Sequence, residues 1–316
     1  MKTKAPLVSV IIPNYNHARY LKQRLDSVFN QTYQNFEVIF LDDCSTDNSL
    51  EVIEQYRDNP HLSRIVVNET NSGSTFKQWD KGIGLAKGEW IWIAESDDCC
   101  ELFFLEEMVK QIEDREGVVL EFCSSQYVDE NGVLVPTYND WNQALYVWDN
   151  GVDFVCERQC KGNSIWNASS AVFSKSVFPK VNKAYRNYKI AGDKLFWIEV
   201  ALCGGVVHVN KRLNYYRRHS ATVSHKRILD GTLFREEHAI MSYIHKQGLV
   251  NGFCWIDGWV YYIGRILSEK FDSEYIRKEL LELWGVKGRM GLLKFKLRRK
   301  YIKYYNRYLA QLTYER

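Results

Sequence analysis

Glu95, Ser96, Asp97 and Asp98 set three carboxylates within four residues, directly after the apolar run at 90–94. Like charges this close repel, and they resist burial unless a cation or a proton compensates them. Two chemistries suit the pattern: a solvated loop whose aspartate caps the next helix, or an oxygen-rich site for a hard divalent cation. A second acidic cluster, Asp42 and Asp43 in "DDCSTD", also follows an apolar run, and its turn-forming residues suit a capped turn as well as a ligand contact. A third acid, Asp193, opens the helical stretch "DKLFWIEVAL", where an aspartate suits a helix N-cap.

The elements that must position these acids follow from hydrophobic patterning. β-branched runs at 7–13, 36–43, 63–69, 89–94 and 117–125 read as strands, and helical periodicity at 18–31, 46–58, 75–88 and 101–114 reads as the helices between them. Such alternation predicts a mainly parallel sheet covered on both faces, with ligands gathering beyond the carboxyl ends of the strands. The polar clusters "NYN", "DDCSTD", "ETNSG" and "ESDD" each follow a strand, so all four should share one edge. After residue 125 the alternation fades. A hairpin across Asn131 and Gly132, a helix at 192–205, and a strand running into a basic aromatic loop at 206–219 are expected, then mainly helix from 225.

Composition narrows the function classes. The 316 residues are 46% hydrophobic and 26% charged with a net charge of only +3, which gives no general argument for nucleic acid. Residues 287–316 hold ten Lys or Arg against the single acid Glu315, so the rest of the chain is net negative. No apolar run reaches membrane-span length, and the first apolar stretch is too short for a secretory signal, which together suggest a cytoplasmic protein. Eight cysteines without zinc spacing read as reduced thiols. No G-x-G-x-x-G follows the first strand, which argues against a dinucleotide-dependent dehydrogenase. The same place, "PNYNHARY", also lacks the glycine-rich basic loop that a nucleotidyltransferase needs to hold a triphosphate.

Taken in order, "VSVIIPNYN", "DDCSTDNS", "NSG", "KGIGLAKGEWIWIAESDD" and "GDKLFW" resemble the family 2 glycosyltransferases, which have the GT-A fold. The resemblance covers the first two hundred residues. It implies a catalytic domain over 1–224, with a nucleotide-sugar half (1–125) and an acceptor half (126–224), followed by a helical, basic extension over 225–316. It implies transfer of a hexose or related sugar, with inversion, from a nucleotide diphosphate-sugar (a UDP-sugar above all) to a saccharide or lipid-linked saccharide in surface polysaccharide synthesis. A nucleotidyltransferase and a non-catalytic nucleotide-sugar-binding protein are the alternatives.

By the same resemblance Asp43 accepts the uracil imide N–H, Tyr15 lies on the base, and Pro13, Asn71, Gly73, Lys77 and Asp97 complete the donor site. Asp97 is the metal-proximal acid for Mg²⁺ or Mn²⁺, with Asp98, Glu95 and His219 as further candidate ligands. Glu95 departs from the family pattern, which has Asp there. Asp193 falls at the position of the catalytic base. Trp166 and Asn167 are candidates for the acceptor pocket, and Arg217 and Arg218 for a lid over the diphosphate. The C-terminal stretch 290–312 carries Leu293, Leu297, Tyr301, Tyr304, Tyr305, Tyr308 and Leu312 on one helical face, with Lys296, Arg299, Lys300, Lys303 and Arg307 on another. It suits peripheral contact with an anionic membrane, packing on its own domain, or a homodimer.

Overall fold

The structure, a computed structural model, describes residues 5–136, 144–218 and 224–314, with side chains from 226 to 304 in the last of these. The strands are β1 (Val8–Asn14), β2 (Phe36–Asp42), β3 (Leu62–Val67), β4 (Trp90–Ile93), β5 (Cys99–Cys100), β6 (Val118–Val128), β7 (Leu145–Trp148), β8 (Ala171–Ser174) and β9 (Gly205–Arg217). The helices are α1 (Ala18–Phe29), α2 (Ser49–Glu54), α3 (Thr75–Leu85), α4 (Phe104–Glu113), α5 (Gly151–Glu157), α6 (Gly192–Ala201), α7 (Ser224–Leu229), α8 (Thr232–Lys246), α9 (Gly252–Ser268), α10 (Glu274–Leu283) and α11 (Gly288–Tyr314).

Two compact units emerge. The first comprises Met1–Gly151, Ile165–Asn187 and Gly192–Ala221; the second comprises Val152–Ser164, Tyr188–Ala191 and Thr222–Arg316. In the first, the strands run β3-β2-β1-β4-β8-β6-β9-β5 across one sheet, with β7 also on β9. The β3-β2-β1-β4 half is parallel throughout. β8 pairs antiparallel to both β4 and β6 and so joins that half to the parallel pair β6 and β9. β5, β7 and β8 are too short to announce themselves as strands by periodicity. The expected basic aromatic loop "NYYRR" is the far end of β9, a single strand reaching Arg217.

β1 is buried along its whole length, and so is β2. Pro13 sits in this central strand without disrupting it. Ile11 O accepts from Ala94 N, and Asn14 O accepts from Asp43 N. By alternation, the donor Pro13 lacks would face the side where β4 has already ended, so no ladder bond is lost. α1 covers one sheet face with Leu21, Leu25, Val28 and Phe29. The second unit is helical, with α8, α9 and α10 packed around Phe234, Ile240, Tyr262, Ile263 and Trp284.

One core residue breaks the pattern. Glu121, in β6 between Val172 and Val207, is fully buried, and among the described residues neither carboxylate oxygen has a hydrogen-bond partner. Burial pushes its acid well above the usual 4.5, so the folded chain holds Glu121 protonated where the unfolded chain ionises it. Stability from this group is therefore greatest below the unfolded value and falls as pH rises toward the folded one. Glu121→Leu should raise stability at pH 7 by about 1–3 kcal/mol, the usual cost of an unsatisfied buried polar group. Denaturant melts of the two proteins from pH 4.5 to pH 8 should diverge as pH rises; parallel curves would refute the assignment.

Candidate active site

The expected edge exists: the polar segments after β1, β2, β3 and β4 stand at the carboxyl ends of parallel neighbours. After β1 and β2 the backbone is forced into unusual shapes. Asn16 and Cys44 take φ values of 55° and 65°, in the left-handed region that non-glycine residues rarely occupy. Side-chain bonds hold them. Thr46 N donates to Asn16 Oδ1 (2.7 Å), Asn16 N to Ser45 Oγ (2.9 Å), and Ala18 N to Asp47 Oδ2 (2.9 Å), so the two loops are laced together.

Asp42 is fully buried and accepts from Ser45 N and from Asn14 Nδ2, which makes it the turn's cap. Asp43 organises the base side. Its Oδ1 accepts from Asn68 Nδ2 (2.6 Å), Ser72 N (2.9 Å) and Gln78 Nε2 (2.9 Å), while among the described residues its Oδ2 accepts only from Ser72 Oγ (2.7 Å). A carboxylate oxygen has two lone-pair directions, so Oδ2 retains one. Asn71 donates to Asp43 O and accepts from Gly73 N. Gly73 has φ of 69°, which this tight turn requires. Lys77 is exposed and donates to Ser72 O, Tyr15 is 46% exposed, and Pro13 lies buried in β1.

The acid turn at 95–98 is bound on every side. Trp79 Nε1 donates to Glu95 Oε1 (2.9 Å), Glu95 N to Ser169 Oγ, and Arg24 Nε to Glu95 O. β5 then pairs Cys99 with Tyr215 and Cys100 with Asn214, which sets the end of β9 against the turn. Asp98 Oδ2 accepts from Asn167 Nδ2 (2.5 Å) and Ser169 Oγ (2.6 Å), its Oδ1 accepts from Arg217 N (2.9 Å), and Arg24 lies 3.9 Å from Oδ2. These bonds make Asp98 the buried anchor of the turn; it does not cap α4, which begins at Phe104.

Burial, then the neighbouring charge of Asp97, pushes Glu95 up to about 8 and Asp98 up to about 7. Arg24 opposes both shifts with a guanidinium that is wholly buried behind the cluster.

Among the described residues no three His, Cys, Asp or Glu side chains converge on a metal cage. The donor chemistry still fits a hard cation held chiefly from outside the chain. Glu95 and Asp97 offer carboxylate oxygens whose like charges repel, and Mg²⁺ or Mn²⁺ takes one or two protein carboxylates with phosphate and water completing its shell.

Asp193 stands in the first turn of α6, half-buried, with Lys194 N on its Oδ1 (2.7 Å). Gly192 before it has no room for a side chain: a Cβ would meet Tyr185 O at 2.4 Å and Phe76 Cε2 at 2.5 Å. α3 therefore touches all three parts of the site. Gln78 reaches Asp43, Trp79 reaches Glu95, and Phe76 packs where α6 begins.

Trp166 is half-exposed and stacks on Tyr127 with centroids 4.8 Å apart; Arg218 lies 4.1 Å from the same ring. Asn167 is turned inward to Asp98, Ser125 and Asn214. Arg217 ends β9 instead of standing in a loop. It is 2% exposed and donates to Asp97 O, Asp129 O and Gln23 Oε1, so it ties the acid turn to α1 and to the residue after β6. His219 lies outside the described residues.

Sequence reasoning missed Arg24, Gln78, Trp79 and Ser169. Arg24 carried a signal: it falls in the same helical stripe as Leu21, Leu25 and Val28, where a charge must be buried.

Comparison with known proteins agrees with this geometry. Residues 9–163 match the family described as Glycosyl transferase family 2. The chain is 27% identical over 230 residues to glycosyltransferase GlyG of Streptococcus pneumoniae, covering 69% of this chain and 72% of that one. It is 35% identical over 212 residues to the poly(ribitol-phosphate) beta-N-acetylglucosaminyltransferase TarS of Staphylococcus aureus, covering 66% of this chain but only 35% of TarS. The crystal structure of S. aureus TarS 1–349 in complex with UDP-GlcNAc superposes with a TM-score of 0.60 at 20% identity, covering 88% of this chain and 89% of that one. With the ordered motifs and the match over residues 9–163, the chain carries a glycosyl transferase family 2 domain.

Proposed function

We propose that this glycosyltransferase moves a hexosyl or related sugar from a UDP-sugar to a saccharide or lipid-linked saccharide, with inversion, in surface polysaccharide synthesis. One observation carries the reading: a single helix, α3, braces the base-side carboxylate, the acid turn and the start of the helix that bears Asp193. The solved TarS complex with UDP-GlcNAc supports the choice of nucleotide. We assign 1–125 to the donor, 126–224 to the acceptor and 225–316 to an extension.

In this reading the free lone pair of Asp43 Oδ2 accepts the uracil N3–H. Tyr15 covers the base, with Pro13, Asn71 and Gly73 beneath and Lys77 beside it. Asp97, with Glu95 next to it, would hold Mg²⁺ or Mn²⁺. That ion, when bound, offsets the negative charge gathering on the departing diphosphate. Asp193 takes the proton of the acceptor hydroxyl as its oxygen attacks the anomeric carbon opposite the leaving group, so C–O bond formation and cleavage invert the centre. Trp166 and Tyr127 offer stacked faces to the acceptor ring.

The base assignment is tested without altering the protein. N3-methyl-UDP lacks the donated hydrogen and should bind about 10–100-fold more weakly than UDP by calorimetry, the loss expected for one hydrogen bond to a charged acceptor. Equal affinities would remove Asp43 from uracil recognition.

We place the enzyme in the cytoplasm, in peripheral contact with an anionic inner leaflet through 290–312. The free state of all eight cysteines supports a reducing compartment. No helix among the described residues is long and apolar enough to cross a membrane. On α11, Phe295 and Ile302 are buried, whereas Leu293, Leu297, Tyr301 and Tyr304 are 49%, 60%, 57% and 58% exposed. These four side chains thus stay largely exposed, Tyr301 beside the Phe253 ring, close to Lys296, Arg299, Lys300 and Lys303; the side chains of Tyr305, Arg307, Tyr308 and Leu312 lie outside the described residues. Each such cation contributes about 1 kcal/mol near an anionic surface. Flotation should show salt-sensitive binding to phosphatidylserine vesicles, lost on truncation after Gly288. Absence of binding at low salt, with a dimer in solution, would reassign the stripe to a homodimer.

A further inference from the structure

Three cysteines that the transfer reaction does not use meet in the second unit. Cys156 lies in α5, Cys160 in the adjoining 3-10 turn Gln159–Lys161, and Cys254 in the first turn of α9. Cys160 Sγ and Cys254 Sγ are 3.0 Å apart, and Cys156 shares a hydrogen bond with Cys254. Cys160 and Cys254 are buried at 0% and 2% exposure, while Cys156 is partly open to solvent. The packing is specific. Gly258, one turn beyond Cys254, lets α9 approach, since a Cβ there would stand 2.7 Å from Cys160 O. The ion pair between Lys161 and Asp257 (2.9 Å) closes the same contact. Asn251 caps α9 by accepting from Cys254 N.

A soft metal is one use for three thiols, but among the described residues no such group has metal-holding geometry. The arrangement suits thiol–disulfide chemistry better: one accessible sulfur, one partner in contact with it, and a third in contact with the partner.

We propose that Cys156, Cys254 and Cys160 form a peroxide-responsive thiol relay that closes a reversible disulfide inside the helical unit. The Cys156 thiolate attacks one oxygen of hydrogen peroxide, the O–O bond breaks, and water leaves with a proton from solvent, giving a sulfenic acid. Cys254 sulfur then attacks Cys156 sulfur and expels a second water, forming the 156–254 disulfide. Two thiols lose two electrons and two protons, and peroxide gains them. Exchange follows when Cys160 sulfur attacks Cys254 sulfur, moving the bond to 160–254 and returning Cys156 as a thiol. The environment favours Cys156 as the first reactant. The hydrogen bond with Cys254, opposed by burial and reinforced by a backbone bond from Asn251 at the N-terminus of α9, lowers its thiol below the usual range. The same sharing pushes Cys254 upward.

The test is peptide mapping of the full chain. Brief treatment with equimolar hydrogen peroxide, alkylation and digestion without reductant should give a Cys254 peptide joined to the peptide carrying Cys156 or Cys160, and dithiothreitol should release it. Cys203 is also partly exposed, but burial raises its thiol, so it serves as an internal reference. Cys156 should alkylate roughly tenfold faster than Cys203 at neutral pH. Cys254→Ser should abolish the link and leave Cys156 as a sulfenic acid, which a second equivalent of peroxide takes to sulfinic acid. Should that variant fail to fold, Cys156→Ser should slow formation of the remaining 160–254 link about tenfold, since no accessible thiol then starts the relay. Absence of any Cys254-linked peptide, or alkylation of Cys156 no faster than Cys203, would overturn the proposal.

Discussion

Asp193→Asn should lower kcat by about 10²–10⁴-fold while donor affinity changes little, the range for loss of a general base. The substitution keeps the side chain's size and an oxygen that can accept from Lys194 N, which is 2.7 Å from Asp193 Oδ1. What it removes is the capacity to take a proton. α6 is held independently of this side chain by Phe196, Trp197 and Ile198, all fully buried, so the variant should fold. Initial rates at saturating donor separate the two roles. Near-normal turnover would leave Asp193 only a place in the first turn of α6, and a product retaining the donor's anomeric configuration would exclude direct displacement.

The neighbouring acids Asp97 and Asp98 should fail in different ways. Asp98→Ala strands four groups that now converge on one carboxylate: Asn167 Nδ2, Ser169 Oγ, Arg217 N and the Arg24 guanidinium. Breaking a buried charged network of this kind costs about 3–5 kcal/mol. For a domain of this size that is a fall in Tm on the order of 10 °C. Asp97→Asn should leave Tm nearly unchanged, because it also relieves the repulsion that Asp97 exerts on Glu95 and Asp98. Its cost should appear as lost turnover and lost Mn²⁺-dependent binding of UDP. Calorimetric melts and turnover measured on both variants decide the matter. A stable but inactive Asp98→Ala would make Asp98 a ligand after all, and an active Asp97→Asn would move the cation elsewhere.

The sequence made the parallel half of the fold legible because its strands are long, β-branched and separated by helices of clear period. β1 to β4 and α1 to α4 sit close to where patterning put them. The antiparallel crossing was hidden. β8 has four residues and β5 two, too few for alternation to register, and their places are set by distant partners, β4 and β6 for β8 and β9 for β5.

The carboxylates themselves stood out, yet their roles did not. Asp97 and Asp98 are adjacent in sequence and alike in type; the donors of Asn167, Ser169 and Arg217, which arrive from 69 to 119 residues away, mark Asp98 as the anchor beside a half-buried Asp97. Arg217 looked like lid material because it stands among tyrosines and basic residues. β9 extends through it and turns it inward to Gln23 and Asp129. The bracing role of α3 was equally invisible, since Phe76, Gln78 and Trp79 read as ordinary inward positions of an amphipathic helix.

The most direct measurement of the central claim is UDP release from a panel of UDP-sugars, with water or an added saccharide as acceptor, in Mn²⁺ or Mg²⁺. The account predicts that at least one UDP-sugar yields UDP, that the released sugar first appears with inverted configuration, and that Asp193→Asn suppresses both. A folded protein that releases no UDP from any member of the panel in either metal would contradict it.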